Sequence, residues 1–189
     1  MAVLSNTEII RALDEGRLVI EPRPMPEPGD GGDTPYDTVS VDLRLAAEIR
    51  VPSHDENSGI AFAPDEKSNM STTLKKLYRA ETISPGYPRK LKPGEFILGS
   101  TMERIALPVA ANCLAARIEG RSSLARQGLI VHFTAPTIHT GFNGTITLEM
   151  INWGKLPIML SPGMRICQLI METVEGMPST DKVSQFQNQ

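Results

Sequence analysis

The stretch GTITLEMINWGKLPIMLSPGMRICQLIMETV, residues 144–174, decides the fold. Its beginning alternates between an apolar and a polar face, the first formed by Ile146, Leu148 and Met150 and the second by Thr145, Thr147 and Glu149. This period of two residues predicts a β-strand. The remainder predicts a strand, a turn at Pro162-Gly163 and a further strand. Short strands joined by Gly/Pro turns indicate an all-β sandwich or barrel.

Three stretches nearer the N-terminus extend this pattern. TVSVDLRL (38–45) alternates, with Val39, Val41, Leu43 and Leu45 on one face and Ser40, Asp42 and Arg44 on the other. KLKPGEFILGSTMERIALP (90–108) predicts a turn at its Pro-Gly pair followed by two strands, and CLAARIE (113–119) predicts one strand. A helix is predicted from Ser5 to Gly16, because Ser5 and Glu8 have capping-box spacing. We therefore expect a mainly β fold with short helices.

The length of 189 residues predicts a single domain, 1–189, with loop inserts. The Pro/Gly-rich segment 21–35 is predicted to be a loop, with an insert near 25–35. A second insert near 52–88 is polar and mixed, and MSTTLKKLY (70–78) within it predicts a helical turn. The polar tail 177–189, which ends in SQFQNQ, is expected to be short and mobile.

The composition argues against several classes of protein. The net charge is -3 and the pI about 5.7, whereas proteins that hold duplex nucleic acid are usually basic. The two cysteines, Cys113 and Cys167, make no zinc-binding spacing with His54, His132 or His139. We find no signal peptide and no apolar run of ~18 residues that would span a bilayer. The expectation is a cytoplasmic protein that binds neither membranes nor nucleic acid and holds no zinc.

The stretch GRSSLARQG (120–128) concentrates cations and hydroxyls. If residues 122–126 form a helical turn, Ser122 and Arg126 share a face and Gly128 ends the turn. Free backbone N–H groups beside Arg121, Ser122 and Ser123 have the chemistry of an anion site. The alternative is that Ser122 caps a surface turn and the arginines are solvated.

Two further features bear on chemistry. Glu149 lies on the polar face of its strand, where it is either solvated or a carboxylate in a pocket that moves a proton. TAPTIHTGFNG (134–144) predicts a loop that joins the Arg/Ser turn to this strand and walls a small-molecule pocket. His139 is the one histidine of this loop, and a lone loop histidine is more often structural than catalytic.

With these residues in hand, the sequence resembles the dCTP deaminase family of the superfamily that includes trimeric dUTPases. GRSSLARQGL resembles its phosphate-binding and catalytic stretch, TAPTIHTGFNGTITLEMINWGKLPI its nucleoside loop and catalytic strand, and PGMRICQLI the strand that follows. SVDLRL and LKPGEFILGSTMERIALP resemble its N-terminal strands. The resemblance covers most of residues 1–175. It implies a homotrimer of distorted jelly-roll, or β-clip, barrels of the dUTPase-like type, with a site at each subunit interface.

The resemblance also implies a reaction, the deamination of dCTP by water to dUTP and ammonia without zinc. Glu149 would be the proton shuttle, and Ser122 would hydrogen-bond near C4 of cytosine and the attacking water. Arg126 would orient Glu149 and Ser122, and the carbonyl of Ala135 would help to hold the water.

Substrate binding is assigned by the same resemblance. The triphosphate would be bound by Arg121, Ser122 and Ser123, and Mg2+ would neutralise part of its charge. Backbone groups of Thr147 and Leu148 would read the pyrimidine edge. The remaining expected substrate-binding residues are Leu124 and Ala125 in the turn, His139 and Phe142 in the nucleoside loop and Gln189 in the tail.

The sequence departs from the family pattern at two places. His139 stands where the family usually has an aspartate that contacts the deoxyribose and that helps to position water in dUTPases. The C-terminal lid is short, with Gln185 at an expected lysine and Gln189 at the phosphate-contacting glutamine.

Three hypotheses follow. The first is a dCTP deaminase that stops at dUTP. The second is a dUTPase, or a bifunctional enzyme that forms dUMP, which His139 argues against. The third is a non-catalytic nucleotide-binding trimer. Inhibition by dTTP is left open.

Overall fold

The computed structural model describes residues 2–53 and 77–179, and this part of the chain is mostly β-strand. The strands in chain order are β1 (Val19–Glu21), β2 (Val41–Arg44), β3 (Glu48–Pro52), β4 (Tyr78–Thr82), β5 (Arg89–Leu91), β6 (Phe96–Ala106), β7 (Leu114–Gly120), β8 (Leu129–Ile130), β9 (Thr137–Ile138), β10 (Asn143–Asn152), β11 (Ile158–Leu160) and β12 (Arg165–Thr173). The helices are α1 (Asn6–Asp14) and α2 (Ser122–Ala125). The mainly β fold with short helices is confirmed.

The strands form two principal sheets that enclose the apolar core. The larger sheet has the order β4-β3-β6-β10-β8, and β1 also pairs with β6. The smaller sheet has the order β2-β12-β7-β9, and β11 pairs with β5 in a separate ribbon. Strands β6 and β10 pair antiparallel over most of their lengths, and their register shifts between Thr145 and Thr147. The strand that carries Glu149 is thus central in its sheet.

The alternation in β10 is confirmed, because Ile146, Leu148 and Met150 are buried whereas Thr147 is exposed. In β2 the polar face is buried as well as the apolar one. Ser40 and Asp42 are only 4% and 8% exposed. Segment 21–35 approaches this side of β2, where the Asp42 N–H donates to the Pro35 carbonyl (2.8 Å).

Two predicted boundaries are wrong. The stretch after the turn at Pro93-Gly94 is one strand, β6, and not two. Gly99 does not interrupt it, because the absent side chain makes room for Met150, whose Cε would lie 2.5 Å from a Cβ at this position. The predicted loop 134–144 contains strand β9, which pairs with β7, as well as the first residues of β10.

The predicted start of the N-terminal helix is confirmed. Helix α1 begins at the predicted cap, where the Ser5 hydroxyl accepts a hydrogen bond from the Glu8 N–H, and Gly16 follows its end with a φ of 69°. Cys113 and Cys167 are buried free thiols, and burial raises the pKa of Cys167. No helix in the described ranges is long and apolar enough to cross a bilayer.

Some predictions concern residues outside the described ranges. The helical turn over 70–78 falls almost wholly there, apart from its last two residues, of which Tyr78 begins β4. Much of the insert near 52–88 and of the tail 177–189, including Gln189, also lies there. The single-domain assignment stays a prediction.

Candidate functional site

The predicted Arg/Ser turn is present as α2, which directly follows β7. Arg121 is the N-cap residue and makes no side-chain capping hydrogen bond, and Ser122 is the first helical residue. The interpretation of Ser122 as a cap is therefore wrong. The side chains of Ser122 and Ser123 are exposed, whereas Leu124 packs against the core and anchors the turn.

Arg126 and Ser122 share a face of the turn, as their spacing predicts. The Arg126 Nε donates to the Ser122 carbonyl over 3.1 Å, so the contact is with the backbone of Ser122 and not with its hydroxyl. Arg126 and Ala125 are both exposed. The guanidinium of Arg126 therefore has donors that are free to reach a ligand.

Close backbone packing joins this turn to the end of β10. Gly128 has a φ of 96°, which an L side chain rarely adopts, and a Cβ there would lie 2.3 Å from the Gly154 nitrogen. The Gly128 carbonyl accepts a hydrogen bond from the Trp153 N–H over 2.7 Å. Only glycine at both 128 and 154 permits this approach, since a Cβ at Gly154 would lie 2.4 Å from the Gln127 carbonyl oxygen.

Arg121 is part of an ion-pair cluster under the turn. Its Nη2 lies 3.2 Å from Asp42 Oδ2, and the same oxygen lies 3.6 Å from Arg165 Nη1. Burial raises the pKa of Asp42, while the two guanidinium groups act in the opposite direction. Asp42 and Arg165 were not singled out in the sequence. The only signal in the sequence was the charged Asp42 within the alternating strand pattern SVDLRL.

Glu149 lines an open pocket with a volume of about 510 Å³. The other lining residues are Phe96, Phe133, Thr134 and Ala135. Glu149 is half-buried, and within the described residues no hydrogen bond or ion pair engages its carboxylate. Thr134 and Ala135 of the predicted loop thus line the same pocket as Glu149.

The aromatic residues of this pocket were missed in the sequence analysis. Phe96 and Phe133 pack edge to face, with ring centroids 5.9 Å apart. They come from β6 and from the segment after β8, so no local pattern connects them. Among the described residues, those of α2 are not part of the lining.

The remaining expected residues lie along the nucleoside loop and β10. His139 is exposed, and its carbonyl accepts a hydrogen bond from the Phe142 N–H (3.1 Å). The Phe142 side chain packs against the core. Thr147 faces outward and Leu148 is fully buried, so Leu148 has only backbone groups to offer a ligand. Within the described ranges, no three His, Cys, Asp or Glu side chains are grouped to hold a metal ion.

Comparison with known proteins gives concordant results. The family model described as dCTP deaminase-like matches residues 3–174. The chain is 42% identical to the dCTP deaminase of Marinomonas sp. (strain MWYL1) over 174 residues, which cover 92% of this chain and 84% of the relative. It is 38% identical to the "dCTP deaminase, dUMP-forming" of Methanosphaera stadtmanae, with 92% and 80% covered.

A solved structure gives a further comparison. The 2'-deoxycytidine 5'-triphosphate deaminase from Agrobacterium tumefaciens superimposes with a TM-score of 0.62 and 22% identity, over 89% of this chain and 47% of that one. At this identity the likeness shows a shared fold, and the expected barrel of the dUTPase-like type is confirmed.

Proposed function

This chain belongs to the dCTP deaminase-like family, and on that premise we propose that it is an enzyme that deaminates dCTP with water to dUTP and ammonia. The observation that carries the proposal is the half-buried Glu149, which lines an open pocket beside Ala135. A carboxylate with no partner of its own in the described structure is available to move protons. The proposal places the enzyme in the cytoplasm.

The pocket suits general acid–base chemistry at cytosine. Glu149 removes a proton from a water molecule that the Ala135 carbonyl helps to hold, and the hydroxide attacks C4. The carboxylic acid then passes the proton to N3 of the ring. Glu149 then transfers the proton of the C4 hydroxyl to the exocyclic amine, the C4–N bond breaks to release ammonia, and the C4–O bond becomes the carbonyl of uracil. One water is consumed for each ammonia released.

The Arg/Ser turn supplies the remaining groups. Ser122 hydrogen-bonds near C4 and the water, and Arg126 orients Glu149 and Ser122. Arg121 and Ser123 bind the triphosphate, since guanidinium and hydroxyl groups are strong donors to phosphate oxygens. The triphosphate would carry Mg2+ that shares its charge, while the hydroxyl and guanidinium groups of the turn would contact the remaining phosphate oxygens.

Replacing Arg121 with alanine tests the phosphate contact. We expect Arg121→Ala to raise the KM for dCTP about tenfold or more, because a hydrogen bond to a charged group contributes roughly 1.5–3 kcal/mol. Turnover of deoxycytidine, which has no phosphate, should change little. The matched control is Arg50→Ala, an exposed arginine of β3. An unchanged preference for dCTP over deoxycytidine would contradict this role.

We also propose that the enzyme is a homotrimer in which the Arg/Ser turn of one subunit covers the Glu149 pocket of the next. The absence of α2 residues from the lining of that pocket, among the described residues, supports this arrangement. Such a site is complete only in the assembly.

Mixed trimers test this arrangement. Glu149→Gln and Arg126→Ala variants should each be inactive alone. When the two are co-expressed with different tags and the mixed trimers are isolated through both tags, we expect about one third of wild-type activity, since every mixed trimer has one intact site among its three interfaces. Mixed trimers as inactive as the separate variants would show that both residues act from the same subunit.

A second candidate is a bifunctional enzyme that continues from dUTP to dUMP. The relative named as dUMP-forming supports it, whereas His139 at the usual aspartate argues against it. The test is pyrophosphate release from dCTP. Ammonia without pyrophosphate identifies the dUTP-forming enzyme, and equal amounts of both identify the dUMP-forming one. Tight dCTP binding without either product would indicate a non-catalytic trimer.

A further inference from the structure

Asp42 is a buried carboxylate that the proposed reaction does not use. It lies on β2, is 8% exposed, and its Oδ1 is buried without a hydrogen-bond partner in the described ranges. Its Oδ2 lies 3.2 Å from Arg121 Nη2 and 3.6 Å from Arg165 Nη1. A buried charge is costly unless it is paired, and these two guanidinium groups offset part of that cost.

The sheet places this carboxylate under the Arg/Ser turn. Asp42 is opposite Gln168 of β12, and Gln168 is opposite Glu119 of β7. The side-chain amide of Gln168 donates to Ser40 Oγ over 3.2 Å. Arg121 follows the last residue of β7, so Asp42 reaches it from two strands away within the same sheet.

Arg165, the second arginine of this cluster, is held by the segment that precedes β2. The Arg165 guanidinium donates to the Thr34 carbonyl (3.1 Å) and to Asp33 Oδ1 (3.0 Å), both in the segment before β2. Arg165 is thereby tied to the loop and to Asp42. The Arg121 Nη1 donates to the main-chain carbonyl of Arg165 over 3.4 Å.

Arg121 is therefore held by an ion pair with the Asp42 carboxylate and by a hydrogen bond to the Arg165 carbonyl. A guanidinium has five N–H donors in a rigid fork, so most of them remain for a ligand. We propose that Asp42 is a positioning residue, which aims the outward donors of Arg121 at the triphosphate of the nucleotide. This inference rests on the proposed function, in which Arg121 binds that triphosphate.

The alternative is that Asp42 only neutralises the two arginines. The substitution Asp42→Asn separates these roles, because it keeps the shape of the side chain and removes its charge. If Asp42 positions Arg121, the variant should raise the KM for dCTP about tenfold and leave kcat within about twofold. If Asp42 only neutralises charge, its loss should tighten triphosphate binding.

A double-mutant cycle with inorganic tripolyphosphate is the decisive experiment, and its readout does not require deaminase activity. Calorimetry would give the Kd for the wild type, Asp42→Asn, Arg121→Ala and the double variant. We expect Asp42→Asn to weaken binding about tenfold alone and less than about twofold in the Arg121→Ala background. Equal effects in both backgrounds, or tighter binding by Asp42→Asn, would overturn the proposal. The matched control is Asp14→Asn, which breaks another Asp–Arg pair.

A failure of the proposed function is separable from a failure of this inference. If the wild type binds tripolyphosphate but releases no ammonia from dCTP, the reaction is wrong, while the cycle still decides the role of Asp42. If the wild type does not bind tripolyphosphate at all, the inference falls.

A second measurement covers the case in which Asp42→Asn does not fold. In wild-type protein labelled with nitrogen-15 at arginine, Arg121 should show restricted guanidinium rotation. Arg50 serves as the internal control, because its side chain is 51% exposed and its ion pair with Glu48 spans 3.9 Å. Rotation of Arg121 as fast as that of Arg50 would contradict the positioning role.

Discussion

Glu149→Gln is expected to reduce the kcat for dCTP deamination at least about 10²-fold, since general acid–base catalysis contributes 10²–10⁴-fold. Glutamine retains the shape of the side chain but cannot take a proton from water. The residue lies at the edge of the pocket, and the triphosphate contacts belong to other residues. Binding of dCTP, measured by calorimetry, should therefore persist within a few-fold of wild type.

The matched control is Glu48→Gln, an exposed glutamate of β3 that should leave kcat unchanged. Loss of dCTP binding together with loss of turnover in Glu149→Gln would mean that the residue holds the substrate and does not act on it. Undiminished turnover would remove Glu149 from the mechanism.

Gly128→Ala is the substitution with the largest expected structural effect. The φ of 96° is unfavourable for alanine, and the new Cβ would lie 2.3 Å from a backbone nitrogen that cannot rotate away. Strain at such a position costs about 1–3 kcal/mol, and displacement of the neighbouring backbone adds to this. We expect Tm to fall by at least about 6 °C, because 1 kcal/mol corresponds to roughly 2–4 °C in a chain of this size.

The same change should also displace the Arg/Ser turn, so kcat/KM for dCTP should fall even at temperatures where the protein is folded. Gly16→Ala is the matched control, because Gly16 also has a positive φ, 69°, but a Cβ there would meet no atom within 4 Å. It should lower Tm by no more than about 4 °C and leave kcat/KM unchanged. Equal Tm values for the two variants would show that the contact between residues 128 and 154 does not constrain the turn.

The elements with a local pattern were predictable from the sequence. Alternation predicted β10, and the spacing of Ser122 and Arg126 predicted the turn. Ser5 and Glu8 predicted the start of α1, because capping depends on residues three positions apart.

The remainder depends on contacts between distant parts of the chain. Asp42 meets Arg121 only because β12 lies between β2 and β7, and strand order is not encoded in any single strand. Phe96 meets Phe133 for a similar reason. Strand β6 continues through Gly99 because Met150 fills the space above this residue. This depends on packing between strands and not on the strand propensity of glycine.

The absence of α2 from the lining of the Glu149 pocket could not be predicted from alternation within one strand, because alternation does not report contacts between separate parts of the chain. The physical reading of the residues found both halves, the Arg/Ser turn and Glu149. Their pairing across subunits stays a proposal.

The most direct measurement is to incubate the purified protein with dCTP and Mg2+ and to resolve the nucleotides by chromatography over time. The account predicts that dCTP decreases while dUTP and ammonia increase in equal amounts, and that Glu149→Gln protein prepared in parallel leaves dCTP intact. Unchanged dCTP with the folded wild-type protein would contradict the proposed activity.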